Sequence, residues 1–213
     1  KFFYDIGIYK FLKTSYQQNN WLTKNKFLGR DQYMSESLLS INNKGLINNN
    51  FYGFVNLAGR LDVQLLLSLF REYCKKNHSL LEEKFNYDEL IIHRSSVQFK
   101  DIIANNIIFC EGYSIRKNPY FNNLNLNPTK GEIIHFYCKG LKLKEIIHAG
   151  LLLIPLGGDY YAIGATYDWI SVNNSTTVEA KKKILSTLDS ILNKPYTIIN
   201  QFAGIRPSTF DRR

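Results

Sequence analysis

Most apolar residues of this chain fall in short runs divided by polar turns, while three stretches keep the 3.6-residue spacing of a helix. In residues 6–24, Ile8, Phe11, Leu12, Ser15, Tyr16 and Leu22 lie near one face, and Asp5 is placed to cap the start. Asp62 is a second N-cap, followed by the stripe Leu65, Leu66, Leu69, Phe70 and Tyr73. The third helix follows Thr176–Thr177–Val178–Glu179, which has the form of a capping box. Ala180, Ile184, Leu188, Ile191 and Leu192 supply its apolar face, and Pro195 stops it.

Strands are expected elsewhere. Residues 51–55 are the one candidate in the Asn- and Gly-broken segment 45–59, and residues 80–85, 89–93, 97–99 and 107–110 follow as short runs between polar turns. Residues 133–137, 146–154, 160–166 and 196–202 complete the set. The middle two are joined through Pro155, Gly157, Gly158 and Asp159, a hairpin connection with glycine available where φ must be positive. The pattern predicts an α+β fold, a largely antiparallel sheet with flanking helices, with residues 1–213 as one compact unit.

Composition narrows the class. Of 213 residues 45% are hydrophobic, enough for a core, yet no apolar run reaches the roughly 18 residues of a membrane span, so the cytoplasm is the default expectation. The net charge of +9 invites a nucleic-acid partner, but the basic residues are scattered. The runs Lys181–Lys182–Lys183, on a predicted helix, and Arg212–Arg213 are short. Cys74, Cys110 and Cys138 show no C-x-x-C pairing and read as reduced, buried small hydrophobes. His78, His93, His135 and His148 match no metal spacing, so no metal is expected. Serine-nucleophile elbows, phosphate loops and G-x-G-x-x-G are missing from the sequence. The neighbouring carboxylates Glu82–Glu83 and Asp88–Glu89 are expected to alternate along strands rather than to face each other.

The candidate chemistry lies in Ala203–Gly204–Ile205–Arg206–Pro207–Ser208–Thr209–Phe210–Asp211. Pro207 pushes Arg206 into extended backbone, and Gly204 lets another group approach the main chain. A guanidinium so presented can hold a carboxylate through two parallel charge-assisted hydrogen bonds.

This segment resembles the Ala-Gly-x-Arg-Pro-x-Thr-x-Asp stretch of the FAD-dependent oxidoreductases of the D-amino acid oxidase family, glycine and sarcosine oxidases included. Three further segments are similar to that family in the same order: Ile107–Ile108–Phe109–Cys110–Glu111–Gly112, Pro128–Thr129–Lys130–Gly131–Glu132, and Gly164–Ala165–Thr166 followed by Tyr167. The resemblance implies that Arg206 binds the substrate carboxylate, that Tyr167 lines the pocket, and that Gly112, Leu90, Gly204 and Ile205 adjoin the flavin. Leu152 stands where glycine oxidase has a tyrosine, a departure that leaves the substrate open. Lys130 and Glu132 read as paired surface charges.

It further implies the central, substrate-side part of a flavoenzyme whose nucleotide-binding turn precedes Lys1 and whose last flavin contact follows Arg213. Residues 61–112 would partly pack on an FAD-binding domain, and residues 113–206 would form the substrate domain. The implied reaction is hydride transfer from a small amino acid-like amine to FAD, with the chain alone expected to be inactive. Two alternatives stay open at this point: an oxidoreductase domain acting on a modified tRNA base, and a non-catalytic binding domain of the same fold.

Overall fold

The computed structural model describes residues 1–27, 29–47 and 51–211; the Arg212–Arg213 run lies outside them. At the N-terminal end, strand pairing overrides the helical spacing of residues 6–24. β1 (Phe3–Asp5) and β2 (Ile8–Phe11) come first, and α1 (Ser15–Asn25) begins only afterwards. Its cap is Thr14 rather than Asp5. Gln17 N donates to Thr14 Oγ1 at 3.2 Å and Thr14 N to Gln17 Oε1 at 3.3 Å, a reciprocal capping box. Tyr9 and Phe11 of β2 pack on the core, the period of two that a strand imposes.

β3 (Tyr52–Val55) pairs with β2, and a Cβ at Gly53 would overlap the Trp21 indole of α1. β4 (Gly59–Leu61) pairs with β1, after which Asp62 Oδ1 accepts from Leu65 N at 3.0 Å and starts α2 (Val63–Lys76). The helix forms where its periodicity places it, but its apolar stripe is uncovered. No α2 residue is buried, and Phe70 and Tyr73 are 59% and 62% exposed.

β5 (Leu90–Ile92), β6 (Val97–Phe99) and β7 (Ile102–Ala104) make a separate antiparallel sheet. The strands expected at residues 80–85 and 107–110 do not form. Phe85 and Phe109 serve instead as ring contacts, Phe85 stacking on Phe99 at 4.4 Å and meeting Phe109 edge-on at 5.8 Å. Glu82 and Glu83 lie in a loop, and Asp88–Glu89 sits in a 3-10 turn, so neither pair alternates on a strand. Cys110 is exposed and Cys74 half-buried; only Cys138 is the buried small hydrophobe expected of all three.

The main sheet uses β8 (Thr129–Tyr137), β9 (Ile146–Ala149), β10 (Leu151–Gly157), β11 (Tyr160–Gly164) and, after α3 (Val178–Asp189), β12 (Thr197–Arg206). The single strand expected at 146–154 folds back at Gly150, whose φ of 85° suits glycine, into β9 and β10. The strand order is β12-β8-β11-β10-β9-β2-β3. The sheet is mixed, not the largely antiparallel one expected, because β2 lies parallel to β9. Parallel neighbours need a long connection, and here the connection contains α1 through β8, which no local pattern links.

One face packs on α3: Ile134, Phe136, Ile147, Leu153 and Ile163 meet Ile184 and Leu188, all fully buried. Each such side chain contributes roughly 1.5–3 kcal/mol on leaving water. The α3 cap is Thr177, one residue later than the expected box, with Oγ1 accepting from Ala180 N at 3.2 Å. Among the described residues no helix is long and apolar enough to cross a membrane.

Candidate functional site

Arg206 ends β12, with Thr129 as its partner on β8. Residues two apart on a strand share a face, so Arg206, Gly204 and Phe202 all look away from α3. The guanidinium folds back over β8 and lies on Gly131, where any Cβ would overlap it. Its Nη1 donates to Thr166 O at 3.4 Å, and Cζ stands 4.7 Å from the centre of the Tyr167 ring, within cation–π range. Among the described residues no Asp or Glu forms an ion pair with this half-buried arginine. A guanidinium has five N–H donors, and one long bond to a carbonyl leaves most of that capacity for a planar oxyanion.

Tyr167 is 64% exposed, with Trp169 stacked 6.5 Å away. Its main chain is stitched to β8 on both sides: Thr166 N donates to Glu132 O at 3.1 Å and Asp168 N to Lys130 O at 2.9 Å. Gly204 is exposed, opposite Gly131, with no atom within 4 Å of where a Cβ would stand. Ile205 is in register with buried Lys130 and turns its side chain toward α3, offering the open face only main chain.

Gly112 has φ 56° and open space around it, and the 3-10 turn it begins, Gly112–Lys117, comes up beside β12. That turn is anchored by Glu111, whose Oε2 accepts from Asn118 Nδ2 at 2.8 Å and whose Oε1 accepts from the Tyr87 hydroxyl. The second bond, helped by burial and by the Glu111 charge, pushes the Tyr87 phenol up. Leu90 is a buried residue of the small sheet, facing Phe99, and is not on the sheet that carries Arg206. The structure thus gathers Arg206, Tyr167 and Gly204, brings the Gly112 turn alongside, and leaves Leu90 apart.

Behind this face, Lys130 and Glu132 are 1% and 2% exposed, not the surface charges expected. Lys130 Nζ lies 3.6 Å from Glu132 Oε1 and donates to Asn173 Oδ1 at 3.1 Å. Glu132 also accepts from Thr177 N and Oγ1, each at 2.9 Å, and from Gln201 Nε2 at 2.7 Å. Burial alone would raise the Glu132 carboxyl, but the Thr177 and Gln201 donors and the Lys130 charge outweigh it and hold the group below its usual value. The network ties β8, β12, the α3 cap and the loop after Tyr167 together. A signal for it was present in the sequence: Lys130, Glu132, Ile134 and Phe136 share the period of two, so the charges had to enter the core in line with the apolar pair.

Among the described residues no group of three or more His, Cys, Asp or Glu could hold a metal ion. A cavity of about 390 Å³, lined by Lys10, Lys13, Tyr52, Thr187 and Ser190 among others, includes neither Arg206 nor Tyr167, which stand on the open sheet face.

No family model matches the chain. In fold it is similar to glycine oxidase from Bacillus cereus, with a TM-score of 0.79 at 18% identity over 99% of this chain and 63% of that one. Glycine oxidase from Geobacillus kaustophilus gives 0.79 at 15% identity, over 99% and 61%. L-alpha-glycerophosphate oxidase from Mycoplasma pneumoniae, with FAD bound, gives 0.69 at 13% identity, over 97% and 62%. The chain therefore spans about three fifths of the length of the solved structures it matches. It shares its fold with these oxidases, and at these identities the likeness is one of fold.

Proposed function

We propose that this chain is the substrate-side part of an FAD-dependent oxidoreductase that oxidises a carboxylate-bearing amine. The observation that carries this reading is Arg206: a half-buried guanidinium without an acidic partner among the described residues, held between Gly131, the Thr166 carbonyl and the Tyr167 ring. Buried charges are ordinarily paired, and a substrate carboxylate completes this one.

The residues present fit a flavin ring beside the substrate. Space is open over Gly204 and Gly112, where a Cβ would intrude on an approaching ring, and the Tyr167 face can exclude water from one side. The chemistry supplied by a bound flavin is acceptance of hydride from the carbon next to nitrogen, leaving an imine for water to hydrolyse. Arg206 binds and orients the carboxylate; Tyr167 shapes the pocket and stacks on the guanidinium; Gly204, Ile205 and Gly112 contribute main chain at close approach. The uncovered stripe of α2 supports a packing role against an FAD-binding domain for part of residues 61–112, with residues 113–206 as the substrate domain.

Truncating one partner of a desolvated charge pair costs on the order of 3–5 kcal/mol, so Arg206→Ala in the full-length protein is expected to lower kcat/KM for amino acids about a hundredfold or more. Flavin content, read by absorbance, should stay the same. Near-normal efficiency in that variant would remove the role given to Arg206.

A further inference from the structure

The far end of the same sheet face carries two nitrogen bases that the reading above does not use. Cross-strand partners place Lys10, His148, Leu152, Gly164, Ile133 and Phe202 in one row over six strands, on the side that also bears Arg206. Lys10 Nζ lies 3.2 Å from His148 Nδ1, and both residues are half-buried. Among the described residues Lys10 forms no ion pair with an acid. Its row neighbours are Gly53 on β3 and His148 on β9, and beyond His148 comes Leu152, so no carboxylate stands in the row.

Burial lowers His148 and the Lys10 charge lowers it further, so the imidazole is neutral near pH 7. It accepts the ammonium proton at Nδ1 and keeps its Nε2–H as a donor. A half-buried ammonium bonded to a base, next to an N–H, is a setting for an anion. Between this pair and Arg206 the face is apolar, with Leu152 and Ile133 flanking Gly164. From Thr166, where the guanidinium rests, to His148 is two strand spacings across and two residues along, on the order of 10 Å.

We propose that Lys10 and His148 form a second anion subsite, and that the substrate class is an elongated amino acid carrying another acidic group at the end of an apolar chain. The assignment of the first carboxylate rests on the reading of Arg206 given above. The test is calorimetric binding of suberate and octanoate to the full-length protein, together with kcat/KM for 2-aminosuberate and 2-aminooctanoate. Suberate is expected to bind at least tenfold more tightly than octanoate. Lys10→Met and His148→Leu should each erase most of that advantage, Lys10→Arg should retain it, and the ratio of the two kcat/KM values should fall in parallel.

Equal binding of the two acids, absence of suberate binding, or an advantage that survives Lys10→Met overturns the subsite. If Arg206→Ala leaves both acids bound as before while Lys10→Met abolishes the suberate advantage, the subsite stands and the role of Arg206 fails.

Discussion

Replacing Lys130 by methionine is expected to cost the folded protein about 3 kcal/mol, the lower end of the ~3–5 kcal/mol for removing one partner of a buried ion pair. The lower end applies because Glu132 keeps three other donors, Thr177 N and Oγ1 at 2.9 Å and Gln201 Nε2 at 2.7 Å. Methionine fills most of the space of the lysine stem, so the loss is electrostatic rather than a cavity. The change also removes the 3.1 Å bond from Lys130 Nζ to Asn173, beyond Tyr167 in sequence. Urea unfolding of the protein, followed by far-UV circular dichroism, measures the effect. With a slope of about 1–3 kcal/mol per molar urea, the midpoint should fall by roughly 1 M or more with the slope unchanged. A midpoint within about 0.3 M of wild type would refute the reasoning, since at that slope the loss would be at most about 0.9 kcal/mol, far below the ~3 expected.

Two further outcomes test the same region. Because Glu132 is held below its usual value in the folded state, it adds stability that is fully present above about pH 4.3, its unfolded value, and is lost as pH falls through the lower folded one. Glu132→Gln should therefore be less stable at neutral pH and show a flatter acid limb than wild type; unfolding curves of equal steepness below that pH would count against the network. Gly131→Ala should displace the guanidinium that rests on Gly131, lowering kcat/KM for carboxylate substrates by ~10–100-fold, since a misplacement near 1 Å is worth that much. A steady-state assay with unchanged kcat/KM would mean that Arg206 acts from another position.

Elements with complete local signals were legible in the chain. α2 has its cap at Asp62 and a continuous stripe, and the β10–β11 hairpin its glycines, and both form where those signals lie; α3 forms on Ala180, Ile184 and Leu188 but ends at Asp189, before Ile191, Leu192 and the expected stop at Pro195. Arg206 could be placed at the end of the last strand because Gly204 and Pro207 act on adjacent backbone. The helix read through residues 6–24 forms only from Ser15, because Ile8 and Phe11 fit a helix face while Tyr9 and Phe11 fit a strand face, and β3 and β9, remote in sequence, decide for the strand.

The amino-acid sequence by itself determined that α2 and α3 are helical, that a glycine turn joins β10 to β11, and that Arg206 lies next to a glycine- and proline-marked backbone. Only the tertiary structure decided that Lys130 and Glu132 go inside, that Lys10 meets His148, and that the α2 stripe stays uncovered. The reason is range. Caps and periodicity are set by residues a few positions apart, whereas burial of a charge depends on donors such as Thr177 and Gln201, which stand 45 and 69 positions from Glu132 and reach it only once the sheet register is formed.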